Sequence, residues 1–514
     1  MAAKKPFSWL DERSSGVLLH PTSLPGDQGI GVLGQSAHGF VDFLEDAGIR
    51  YWQTLPLGPT GFGDSPYSSL SAFAGNPNLI DLEPLTQNGI LHLNDADPLR
   101  GLAHDHVDFT GLARIKAPLL RLAHKRFVEQ KRAYLPNYGL FDEFKKAQSG
   151  WLDSYCAFIA LKERFSGSFW GDWPEECRTL ASAKKSKYWK ETEQGRDSHA
   201  FFQYLFFGQW KLLRAYAKAH EVELIGDAPI FVAHDSADAW ARPELFEMTP
   251  DGQPVNVAGV PPDYFSKTGQ LWGNPLYNWK AMEADGYQWW IDRMGSNFDL
   301  FDVVRLDHFR GFYDYWSIPA GSKDATTGKW RPGPQDAFFK AIKRQFPKGK
   351  IIAEDLGELH DQVHAFRKRL GMPGMTILHF AFGGDSKNIY LPHNFDANCV
   401  VYPGTHDNDT SRGWYETASE RERDHARRYL RVSGDDISWD LIRSAYQSPA
   451  GLAIIQMQDL LSLGTEARMN LPGTAQGNWQ WRMTSDQFHS NRECANYLRE
   501  LGDLYGRIKP VAVS

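Results

Sequence analysis

Only four cysteines occur in the 514-residue chain, Cys156, Cys177, Cys399 and Cys494. They are scattered, with no CxxC pair, so neither a zinc site nor a disulfide framework is signalled and reduced, structural thiols are expected. No apolar run approaches the roughly 18 residues that a bilayer crossing needs. The first residues, MAAKKPFSWLDERSSG, lack an apolar secretory core, and a cytoplasmic location without membrane attachment is expected. Positive charge is not in excess. The 56 Lys plus Arg stand against 63 Asp plus Glu, a net charge of -7, so no global field exists to hold a phosphate backbone and nucleic acid is not an expected partner. Internal repeats, low-complexity tracts and an obvious flexible linker are missing as well.

What is present is a globular profile, 42% hydrophobic and 23% charged. Its length would suit about three domains at roughly 150 residues each, or one elaborated barrel. The 18 Trp, 20 Tyr and 31 Phe are core filler in the main, with some free to stack on a flat, weakly polar ligand such as a sugar ring. Eight short aliphatic runs recur, usually followed by a segment of helical period. They are GVLLH (16–20), YWQTLPL (51–57), ELIGD (223–227), VVRLD (303–307), IIAED (351–355), ILHFAF (377–382), CVVYP (399–403) and AIIQM (453–457). Eight strands alternating with helices predict an α/β fold of the (β/α)8 TIM-barrel type, elaborated by insertions within a single catalytic unit spanning 1–514. Among the helices are HGFVDFLEDAG, closed by Gly48, and the stretch from Phe201 to His220. One insertion, about 82–198, reads as a helical subdomain. A second, about 232–285, is rich in Pro, Gly and aromatics and reads as long loops after the third strand.

Reactive groups in this fold stand at the C-terminal ends of strands. Asp227 closes ELIGD, Asp307 closes VVRLD, Glu354 ends IIAED, and Asp407 lies just past CVVYP in GTHDNDT. Each could be a helix cap or a solvated loop acid taken alone; four at corresponding places point to chemistry. Residues two apart share a side of a sheet, so Val303, Arg305 and Asp307 face one way and Val304 and Leu306 the other. A guanidinium beside Asp307 would keep that carboxylate ionised, as a nucleophile requires. Asp355 falls on the opposite face from Glu354 and reads as a helix N-terminal acid, and Asp409, before Thr410 and Ser411, as a cap. Two or three carboxylates at one barrel mouth suit glycoside chemistry: a nucleophile, a proton donor and a stabilising acid. A divalent ion held by His406, Asp407 and Asp409 is the competing use, but the EF-hand spacing is incomplete and no metal is expected. HDQVH, with His360 and His364, lacks the zincin Glu and reads as a solvated face.

At these residues the sequence resembles the amylomaltases, or 4-α-glucanotransferases, of the α-amylase superfamily. The resemblance runs from GVLLHPTSLPG through WQTLPLGPTGFGDSPYSSLSAFAGNP, GDAPIFVAHDSADAW, PPDYFSKTGQLWGNPLYNW, VVRLDHFRGF, IIAEDLGELH and GTHDNDTSRGW to RMNLPGT and GNWQWR. Residues 82–198 carry little of it. It implies Asp307 as nucleophile, Glu354 as general acid/base and Asp407 as transition-state stabiliser. It further implies glucan contacts from Arg305, His308, Asp227, His406, Tyr67, Asp263, Tyr264, Phe265, Trp272 and Asn478. The implied activity is transfer of α-1,4-glucan segments between maltooligosaccharides by retaining double displacement, without a cofactor, in carbohydrate metabolism. The loop from about 253 to 279 is expected to act as an apolar lid that favours a sugar acceptor over water. A plain α-glucan hydrolase uses the same three acids and stays the alternative, with a non-catalytic glucan-binding protein behind it. Oligomeric state is not indicated by the sequence.

Overall fold

Seven of the eight aliphatic runs fold into parallel strands, because each alternates an inward-facing with an outward-facing apolar residue over a short, helix-flanked stretch, and the remaining strand ends at the first residue of the ILHFAF run. The computed structural model describes residues 5–262, 266–357, 360–490 and 492–508. The strands are β1 (Ser14–Leu18), β2 (Tyr51–Gln53), β3 (Glu223–Ala228), β4 (Val303–Leu306), β5 (Lys350–Ala353), β6 (Gly374–Ile377), β7 (Cys399–Tyr402) and β8 (Leu452–Gln456). They pair in chain order, with β8 returning to β1, and β5 and β6 stand at the two ends of the hydrogen-bonded order. Those ends meet through Ala353 N, which donates to Pro373 O (2.9 Å), and through the Asp355 carboxylate, which accepts from Met375 N (2.8 Å). The result is a (β/α)8 barrel.

The interior is plugged by Tyr51, Ile225, Val303, Ile352, Met375, Ile377, Val400, Tyr402, Leu452 and Ile454. Val304, Leu306, Ile351 and Ala353 face the other way, into an outer core with Trp290, Phe338, Ile342 and Phe366 from the surrounding helices. Each Val, Leu or Ile among them contributes about 1.5–3 kcal/mol by leaving water. Period two therefore sorts the barrel: from Ile225, Val303 and Ile352, the next positions of the same parity are Asp227, Arg305 and Glu354.

Helix α1 (Gln35–Asp46) connects β1 to β2. It ends where Gly48 takes φ +68° and Ile49 N turns back to Leu44 O (2.8 Å), a left-handed closure that glycine adopts without strain. Between β2 and β3 lie α2 (Phe109–Glu129), α3 (Leu152–Arg164) and the 27-residue α4 (Glu193–Ala219). Two buried glutamines of α4 dock the chain that follows β2. The Gln203 and Gln209 carboxamides each bond both sides of one residue's backbone, at Gly75 and at Asp81. This anchors the segment that carries Tyr67. The helices α5 (Gln288–Leu300), α6 (Gln335–Gln345) and α7 (Asp361–Leu370) lead into β4, β5 and β6. From β6 to β7 the chain crosses by 3-10 turns at Leu378–Phe380 and Pro392–Asn394.

Three expectations change. The sixth strand is Gly374–Ile377, and LHF of the ILHFAF run is a 3-10 turn, because the apolar run marks burial below the strand's end rather than the strand itself. The stretch 232–285 contains strands Asn256–Val260 and Gln270–Pro275 in an antiparallel sheet with Asp314–Pro319 and Lys329–Pro332, which follow β4. Asp355 is no helix cap: buried, it pairs with Arg367 Nε (2.6 Å) and laces β5 to β6. Among the described residues no helix is long and apolar enough to cross a membrane.

Candidate active site

Arg305 is the hub. It is 4% exposed, and its Nη1 donates to Asp227 Oδ1 (2.8 Å) and Oδ2 (2.6 Å) and to Asp307 Oδ1 (3.0 Å). Parity places Arg305 and Asp307 on the inner face of β4, and β3 runs beside it with Asp227 directly paired to Arg305. Burial pushes the Asp227 carboxyl up from the usual carboxylate range and Arg305 pulls against that. Tyr67 OH donates to the remaining side of Asp227 (2.7 Å), so that acid is held from two elements.

Glu354 sits one step beyond β5 in a different setting. Its Oε2 accepts from His308 N (2.7 Å) and its Oε1 from Leu356 N (2.9 Å). Burial nevertheless dominates, with the Asp307 charge adding to it against Arg305 and the two backbone donors, and pushes the carboxyl up to about 7. His308 reaches it from a left-handed backbone, φ +48° and ψ +50°, a conformation costly for a side-chain-bearing residue and typical of functional sites. Burial also lowers the His308 imidazole to about 4, so it stays neutral at pH 7. The Trp272 ring, on strand Gln270–Pro275, stands nearly perpendicular to the His308 ring with centroids 4.9 Å apart.

Across the mouth, Asp407 accepts from Asn470 Nδ2 (2.6 Å) at Oδ1, and its Oδ2 lies 3.4 Å from His406 Nε2. The His406 ring is stacked on Tyr67 with centroids 5.0 Å apart, and Trp479 leans on both. Trp479 is buried with φ +63°, a second strained residue at the site. Asp307, Glu354 and Asp407 thus occupy the ends of β4, β5 and β7, gathered by Arg305, His308, Tyr67 and His406.

Other expected contacts fall elsewhere. The Asn478 carboxamide is spent within its own loop: Oδ1 accepts from Leu471 N, and Nδ2 donates to Thr474 O and Oγ1. It shapes the turn that presents Trp479. Asp263, Tyr264 and Phe265 lie outside the described residues. Asp409 is not the cap. Thr410 caps the following helix, and Asp409 accepts from Thr465 Oγ1 (2.9 Å). His360 is exposed, as a solvated face requires, and lies 3.3 Å from Asp314, whereas His364 is half-buried and lies 3.5 Å from Asp355. Among the described residues no group of three or more His, Cys, Asp or Glu is arranged to hold a metal ion.

Three residues of the site, His20, Asn470 and Trp479, are not singled out by the sequence. His20, just past β1, is 6% exposed, and burial, with His406 adding to it, lowers its imidazole to about 3. Its parity with Leu18 was the available signal. Asn470, 63 positions from Asp407, had no local signature.

Comparison with known proteins follows the same lines. A family model described as 4-alpha-glucanotransferase matches residues 19–487. The chain is 47% identical over 479 residues to the 4-alpha-glucanotransferase of Thermus thermophilus, covering 92% of this chain and 95% of that one. It is 46% identical over 503 residues to the 4-alpha-glucanotransferase of a Synechocystis species, covering 97% and 99%. Among solved structures it matches an amylomaltase from Streptococcus agalactiae in complex with acarbose, at a TM-score of 0.92 and 38% identity, covering 97% and 100%.

Proposed function

The chain belongs to the 4-alpha-glucanotransferase family, and from that premise we propose how its site moves α-1,4-glucan segments from one maltooligosaccharide to the 4-hydroxyl of another, or to glucose. The observation that carries the mechanism is the pairing of unlike acids: Glu354 raised to about 7 beside Asp307, whose carboxylate accepts from Arg305. A carboxyl near 7 can give and take a proton at neutral pH, and a carboxylate held by a guanidinium can attack. Asp307 attacks the anomeric carbon while Glu354 protonates the leaving glycosidic oxygen, and a covalent glucosyl-enzyme forms with inversion. Glu354 then removes the proton from the incoming 4-hydroxyl, and the second inversion restores the α configuration. Asp407, opposite, steadies the positive charge that develops on the ring. Asp227, Arg305, His308, His406 and Tyr67 surround the sugar whose bond is broken.

Incubation with pure maltotriose, without added cofactor or metal, tests the activity. Glucose together with maltopentaose and longer chains is the expected product pattern; glucose and maltose with nothing longer would put the hydrolase in first place. Preference for sugar over water requires a dry acceptor side, and Trp272, packed on His308, is suited to form its wall. Trp272→Ala is expected to raise the hydrolysis-to-transfer ratio several-fold, read from reducing ends formed per chain transferred. An unchanged ratio would remove Trp272 from that role. The four cysteines are free thiols, which fits a reducing compartment, and we place the protein in the cytoplasm in the metabolism of glycogen, starch or maltose.

A further inference from the structure

The segment after β8 closes over the segment after β7. Asn470 N donates to His406 O (3.1 Å), Arg468 Nη2 to Asp407 O (2.8 Å), and Arg468 Nε to Asn470 O (2.8 Å). These bonds involve main-chain atoms at one end or both, so the two segments keep their register whatever the Asn470 side chain does. The carboxamide is then free for one further task, the 2.6 Å bond from Nδ2 to Asp407 Oδ1. An amide nitrogen only donates, so this contact requires an acceptor at Oδ1 and fixes that oxygen in place.

We propose that Asn470 is a positioning residue for Asp407, occupying Oδ1 so that Oδ2 is the oxygen turned toward the reacting sugar. The inference rests on the reading of Asp407 as transition-state stabiliser. Asp407 is about half exposed, and without a fixed partner a short carboxylate rotates freely between its two oxygens. The other groups around it leave this task to Asn470. His406 Nε2 lies 3.4 Å from Oδ2, and the Arg468 guanidinium engages the Asp407 backbone carbonyl. Asp409 turns to Thr465, and Tyr67, which feels the Asp407 charge, spends its hydroxyl on Asp227. Orientation of a charge that acts only as the oxocarbenium-like state forms should appear in kcat and hardly in KM.

The test compares Asn470→Ala, Asn470→Asp and Asp407→Asn in the full-length enzyme with maltotriose, measuring kcat, KM and the pH dependence of kcat/KM. Asn470→Ala should lower kcat roughly tenfold to a hundredfold, the range for a lost hydrogen bond to a charged group, with KM little changed. Asn470→Asp keeps the shape of the side chain but sets two carboxylates against one another. They then share a proton, and the acid limb of kcat/KM should move up by at least about one pH unit. A residue that merely filled space would not confine the loss in Asn470→Ala to kcat with KM unchanged. Parent values of kcat and of the acid limb in both Asn470 variants, with Asp407→Asn inactive, would overturn the positioning role and leave the reading of Asp407 standing. Full activity in Asp407→Asn would overturn both. The near-isosteric Asn470→Asp carries the test should the alanine variant fail to fold.

Discussion

Glu354→Gln is expected to slow glucan transfer from maltotriose on the order of 10³-fold, within the range that general acid–base catalysis contributes. The amide keeps the side chain's length, and its one oxygen can accept from either His308 N or Leu356 N but not from both, so the shape of the site is kept at the cost of one backbone bond while the exchangeable proton is lost. A maltotriosyl fluoride donor separates the two halves of the reaction, because fluoride departs without protonation. With that donor the first step should recover, and the second step, which needs a base, should not. A glycosyl adduct on Asp307 should then accumulate and be visible in the intact mass of the protein. In the parent enzyme the acid form of Glu354 predominates below about pH 7 and is lost as the pH rises through that value, so kcat/KM for maltotriose falls on the alkaline side. That limb should vanish in Glu354→Gln assayed with the fluoride. Equal losses with both donors would defeat the assignment of Glu354 as the acid.

Arg305→Met is expected to damage stability and rate together. Its guanidinium is the cation between Asp227 and Asp307, and removing it leaves a buried carboxylate uncompensated, at a cost of about 3–5 kcal/mol. The rate of transfer should fall as well, because the Asp307 carboxylate would lose the Arg305 donor that fixes its Oδ1 for attack. Adding Asp227→Asn distinguishes the two effects. The double variant no longer buries an unpaired charge, so denaturant unfolding should recover part of the lost stability while activity stays low. A single variant with parent stability and parent kcat would show that the ion triad is ornamental.

The parts of the site legible in the sequence share one property, that their signal is local. Period two within VVRLD, ELIGD and IIAED told which side each residue faces, and the end of an aliphatic run told where a strand delivers its last side chain to the barrel mouth. Asp227, Arg305, Asp307 and Glu354 followed from those two cues. His20 obeys the same parity beyond β1 but carries no charge to draw notice. Asn470 and Trp479 act through partners far away along the chain, and a contact of that kind leaves no periodic mark. The GMTI strand was displaced by a few residues because LHF is as apolar as a strand while its backbone turns as a 3-10 helix. Asp355 shows a related limit: its outward parity was right, yet its partners Arg367 and Met375 belong to α7 and β6 and depend on the barrel's closure.

That closure has a consequence in time as well as in space. Most of the cylinder is a continuous ladder, whereas β5 and β6 are fastened by Ala353 N to Pro373 O and by the Asp355 carboxylate. Such a joint opens more readily than a ladder does, and slow exchange of amide hydrogens would be lost there before it is lost in the rest of the wall. Glu354 lies between the two fasteners, directly after Ala353 and before Asp355. Its backbone is also held to the β4 side, by Glu354 N to Leu306 O (3.0 Å) and by Phe309 N to Glu354 O (3.0 Å), so a brief parting of the joint would admit water beside the proton donor without separating it from His308.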